Sequence, residues 1–125
     1  MTLPKTSFPK TESLRDAGEF RNLVRNSRAL RENGVALYVS PNESAPPRSR
    51  LGILVSRKAL KRAVDRNRAK RVIREFFRKR KEHFLKPVDL VVRILDGSNL
   101  FQENNLENAL NSLFCRAKII NEKNN

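Results

Sequence analysis

Between Lys58 and Phe84 the chain contains neither Pro nor Gly and is dense in good helix formers, which predicts one long helix over residues 65–84. Winding at about 100° per residue gathers Ala69, Val72, Ile73, Phe76 and Phe77 on one stripe. Asn67, Lys70, Arg71, Arg74, Arg78 and Lys81 gather on the opposite side. One face therefore packs and the other is a cationic ridge. Arg66 and Arg68 flank its N-terminal end, where unpaired backbone N–H groups and the helix dipole favour phosphate oxygens. A solvated helix face usually intersperses both signs, whereas here Glu75 and Glu82 are displaced toward the edge. A ridge that repels itself points to a polyanionic partner. Phosphate contacts are common to DNA and RNA, so charge alone leaves that choice open.

The rest of the composition agrees. Lys and Arg number 27 against 13 Asp and Glu, a formal charge of +14, and 125 residues suit one compact domain. No apolar run approaches the length of a membrane span and no signal peptide pattern opens the chain, so a cytoplasmic protein with no membrane partner is expected. Cys115 and His83 stand alone, which excludes an internal disulfide and a structural zinc site and makes Cys115 a structural thiol. Asp65, Glu75, Glu82, Asp89 and Asp96 are scattered among basic residues, where ion pairing and capping are their expected roles. No catalytic residue and no metal site is predicted within the protein.

Along the chain, residues 1–12 read as a flexible arm, 13–117 as the domain and 118–125 as a polar tail. Phe20, Leu23 and Val24 fall at helical spacing in a short amphipathic helix over residues 16–28. Residues 35–40 form a strand that stops at Pro41, and residues 42–49 have loop composition. Residues 50–58 form the next strand, paired with the previous one as a long-looped hairpin, with Gly52 as a close-approach point. Residues 89–95 form a third strand, ended by Asp96-Gly97. Ser98 or Asn99 then caps a last helix carrying Leu106, Leu110, Leu113 and Phe114. Strands and helices alternate, giving an α+β or α/β class.

The segment from Ala63 to Arg78, containing Arg66-Asn67-Arg68, resembles the RNR signature of the bacterial ribonuclease P protein family. Two further blocks agree in order and spacing, Leu51-Gly52-Ile53-Leu54-Val55-Ser56-Arg57-Lys58 and Asp89-Leu90-Val91-Val92-Arg93. The resemblance implies a small single-domain α+β sandwich in the order αβββαβα, with an extra strand near residues 28–31. It also implies a left-handed βαβ crossover, against the usual hand. It implies the protein subunit of an endoribonuclease that removes the 5′ leader of precursor tRNA. The RNA subunit carries the chemistry with Mg²⁺, and the protein alone is inactive, binds no cofactor and requires no protein partner.

Carried over by position, Arg66, Asn67, Arg68, Lys70, Arg71, Arg74 and Arg78 face the catalytic RNA, with Arg57 and Lys58 as additional basic contacts. Phe20, Val24, Ala36 and Tyr38 line a cleft for the single-stranded leader, where unpaired bases stack on aromatic rings. The chain departs from the family in two places. Residues 11–19 are nearly balanced in charge where the family is often basic, and Val24 stands where a second aromatic is often found. A ribosomal or other structural RNA-binding protein is the alternative; a DNA-binding regulator would need a recognition helix after a tight turn, and none is evident.

Overall fold

The computed structural model describes residues 17–42 and 48–120. Its elements are α1 (Ala17–Asn26), β1 (Ala29–Glu32), β2 (Val35–Pro41), β3 (Arg50–Val55), α2 (Ala63–Arg80), β4 (Val88–Ile94) and α3 (Asn105–Arg116). This is the αβββαβα order. The strands form one sheet in the order β1-β2-β4-β3.

The turn chemistry explains the first hairpin. Asn33 (φ 48°) and Gly34 (φ 80°) connect Glu32 to its partner Val35, a two-residue loop whose positive φ values suit Asn-Gly. The expected hairpin between residues 35–40 and 50–58 is not formed. β2 pairs antiparallel with β4, and β4 pairs parallel with β3, so β4 separates the two strands. The reason is burial. Leu90, Val91 and Val92 are all 0 % exposed, and only a central position covers both faces of such a strand.

The hand of the β3-α2-β4 crossover follows from one hydrogen bond. Leu95 donates its N–H to the Gly34 carbonyl (2.7 Å), just outside the Val35–Ile94 pair, so the backbone groups of Ile94 face β3 instead. The Ile94 side chain packs in the core beneath α2 and α3. For an L-chain running upward with that side chain toward the viewer, backbone groups point right, so β3 lies right of β4. The chain passes in front through α2 and returns on the left. The crossover is left-handed, as the resemblance implied and against the usual rule.

The main core fills the space between α2, α3 and this sheet face, with Ile73, Phe77, Leu110, Leu113 and Phe114 fully buried. Phe76, Phe84 and Phe114 meet edge to face. A smaller cluster on the opposite face joins α1 to Ala36, Tyr38 and Val91. α1 and α2 begin and end within a few residues of expectation. α3 begins at Asn105 rather than near Ser98 or Asn99, because Asn99, Glu103 and Asn104 all take positive φ and break the helical path. The polar tail begins later than residue 118. Ile119 and Ile120 are buried, and Leu85 donates its N–H to the Ile119 carbonyl (2.8 Å). The expected N-terminal arm lies outside the described residues.

Candidate nucleic-acid interface

α2 presents its cations as the periodicity demands, but not all are equally available. Asn67, Arg71 and Arg74 are exposed, and Lys70 is half-buried beside them. Among the described residues no ion pair holds Arg71 or Arg74. Arg66 turns back instead, donating to the carbonyls of Leu60 (2.9 Å) and Lys61 (2.8 Å). The helix N-cap, Arg62, has no side-chain cap, so Arg66 fixes the helix entry in its place. The Arg68 guanidinium lies over the Phe101 ring at 4.2 Å. Arg78 forks onto Glu75, with Nη2 to Oε2 at 2.8 Å and Nε to Oε1 at 3.3 Å. That hydrogen bond holds the Glu75 carboxyl below its usual pKa of 4.5. Arg66 and Arg78 are thus partly committed, while Arg71 and Arg74 form the open crest of the ridge. Lys81 closes the helix, its N–H bonded to the Phe77 carbonyl.

The proposed leader residues do come together, on the α1 face of the sheet. Phe20 and Val24 are half-buried against Leu23, Ala36, Tyr38 and Val91. Tyr38 pairs with Val91, and Val91 with Gly52, so these three form one row across the sheet. The Phe20 ring seats on Gly52: a Cβ added there would lie 2.4 Å from the ring carbon Cζ. Ala36 needs correction as a contact residue. It is 0 % exposed, forming the floor beneath α1, and Tyr38 retains only 6 %. Phe20 and Val24 are the members with appreciable surface.

Sequence reasoning missed what holds α1 in place. Arg50 forks onto Asp89, with Nε to Oδ1 at 3.0 Å and Nη2 to Oδ2 at 2.9 Å. Its remaining nitrogen meets the Glu19 carboxylate on α1 at 2.9 Å. Asn42 donates to the same Asp89 (2.8 Å). The Asp89 hydrogen bonds raise the Arg50 pKa further above its ordinary value. Arg50 opposes Asp89 in the strand register, which no single-sequence signal reveals before the pairing is known.

In the next row of this face α1 covers Ala36 but leaves the β4 and β3 positions open. Ala36 pairs with Arg93, and Arg93 with Leu54; Leu54 and Leu95 are each 37 % exposed. With Lys58, Arg93 and Ser56 they line a shallow groove of about 400 Å³. Arg57 is exposed on the same connection. The described residues hold no cluster of three or more His, Cys, Asp or Glu suited to a metal ion, and no helix long and apolar enough to cross a membrane.

A family model described as Ribonuclease P matches residues 8–118. The ribonuclease P protein component of Nitrosomonas europaea is 35% identical over 103 residues, covering 78% of this chain and 84% of that protein. That of Desulfotalea psychrophila is 36% identical over 106 residues, covering 85% and 86%. The Staphylococcus aureus RNase P protein superposes with a TM-score of 0.78 at 27% identity, covering 90% of this chain and 100% of that one. The Thermotoga maritima protein gives 0.71 at 30% identity, covering 84% and 96%.

Proposed function

The chain belongs to the ribonuclease P protein family, and from that premise we infer that it acts as the protein subunit of the holoenzyme, gripping the RNA subunit through α2 and the 5′ leader of precursor tRNA through the α1 face of its sheet. Membership decides against the ribosomal alternative. The holoenzyme cuts the leader from precursor tRNA to give the mature 5′ end. Phosphodiester hydrolysis takes place on the RNA subunit with Mg²⁺, in the cytoplasm; the protein contributes charge and position.

The observation that carries this reading is the single sign of the exposed α2 arc, where Arg71 and Arg74 stand clear of any ion pair among the described residues. Such cations release counterions when they meet phosphates, so Arg71→Ala with Arg74→Ala should lower the slope of log affinity against log salt by about one unit per lost contact. The leader assignment is supported by the half-buried Phe20 beside the open Leu54–Arg93 row, an aromatic edge next to an apolar and cationic strip. Stacking is worth about 1–3 kcal/mol per base, so Phe20→Ala should weaken binding of precursors with long leaders by about ten- to a hundredfold. Precursors with one leader nucleotide, and mature tRNA, should bind as before. A folded Phe20 variant that keeps the wild-type ratio between long and short leaders would remove Phe20 from the leader path.

A further inference from the structure

The exposed arc of α2 continues past the ridge toward α3. There a groove of about 390 Å³ has Val72 and Phe76 as its floor and Arg71, Lys79 and Arg80 along its rim. The Arg80 guanidinium lies over the Phe76 ring at 3.8 Å. Its Nε is buried and has no hydrogen-bond partner among the described residues. A buried N–H without an acceptor is costly, and native proteins keep such groups where something else completes them. Phe76 is itself braced by Phe114, edge to face at 5.0 Å, so the platform under Arg80 is fixed. Two carboxylates border the groove. Glu75 is committed to Arg78 at 2.8 Å, which leaves Glu107 on the α3 wall as the one carboxylate facing three cations.

An apolar floor topped by a planar cation, with further cations on one rim, matches the two halves of a nucleotide. A base stacks on the Arg80 guanidinium, whose inner side lies on Phe76, while the phosphates pair with the rim. Neighbouring bases in a duplex would cover the face that stacks, so the complementary ligand is an unstacked, unpaired nucleotide. Arg71 and Lys79 are eight residues apart on one stripe, about 12 Å along the axis, so the rim follows a backbone rather than a single anion. Glu107 repels phosphate from the α3 wall and sets the polarity of entry. We propose that this α2–α3 groove binds an unpaired nucleotide of the RNA subunit, a contact that adjoins the ridge at Arg71 and extends past it through Lys79 and Arg80. The proposal rests on the reading of α2 as the RNA-facing helix.

The test uses holoenzyme reconstituted from the full chain and its RNA subunit. Lys79→Ala should weaken RNA binding about fivefold at physiological salt and lower the salt slope by about one unit. Glu107→Gln should do the reverse, strengthening binding by a few fold. Arg80→Lys keeps the charge but loses the planar stack, and should lose affinity while leaving the slope unchanged. Arg74→Ala serves as the ridge comparison. If Lys79→Ala and Glu107→Gln leave affinity and slope unchanged, the groove is empty, and the response of Arg74→Ala then decides separately whether the ridge reading stands. A photocrosslinker attached at Glu107→Cys, in a Cys115→Ser background, should mark an unpaired segment of the RNA subunit. Marks on a paired helix, on precursor tRNA or on a protein would overturn the assignment.

Discussion

Arg50 joins three elements through one guanidinium: β3, which carries it, β4 through Asp89, and α1 through Glu19. One residue along α1 from Glu19 stands Phe20, and two along β3 from Arg50 lies Gly52, so the bracket sets how deeply the ring sits on the sheet. Gly52→Ala tests that seat. The new methyl would lie 2.4 Å from the Phe20 ring, forcing it outward at a cost of about 1–3 kcal/mol. Combining Gly52→Ala with Phe20→Ala opens the space the methyl needs, so the double variant should lose less stability than the sum of the two single ones in denaturant melts. Strict additivity would mean that Phe20 does not rest on Gly52. Sequence alone flagged Gly52 as a point of close approach; the partner, the Phe20 ring on α1, became visible only in three dimensions.

Among the elements, α2 is governed by its own pattern. Ile73 is 1 % exposed and Phe76 is 4 %, so Ile73→Ala should cost about 2–5 kcal/mol through lost burial and the remaining cavity. A thermal melt that barely moves would show that α2 is rotated about its axis, with Ile73 turned away from the core. Helices α1 and α2 were legible because a period of 3.6 residues is a local property of the chain. β1 was less legible, since Ala29-Leu30-Arg31-Glu32 has no strand alternation. The Asn33-Gly34 pair ahead of Val35 is nonetheless a strong hairpin signal and would have found it. The expected β2–β3 hairpin failed because adjacency in sequence stood in for adjacency in space. In the site, ridge positions followed from helix phase. The commitments of Arg66 to two carbonyls and Arg78 to Glu75 depend on side-chain rotamers, which spacing does not specify.

At the scale of the whole molecule, the sheet separates two chemistries. One face carries α2 and α3 over the main core, and α2 turns its cations outward from it. The other carries α1 on a small cluster and leaves Arg93, Leu54 and Leu95 open. Because β4 lies between β2 and β3, the ribosome delivers β3 and α2 before the strand that both of them need. A nascent chain ending at residue 87 holds the β1–β2 hairpin and an unpaired β3, with no central strand to join them. It should show no cooperative unfolding transition, whereas the full chain should melt in one step. A truncated chain that melts cooperatively would show that β4 is dispensable. With β4 required, native structure arrives late and nearly all at once, and until then the most basic segment of the protein is an unsupported helix in a cell full of RNA.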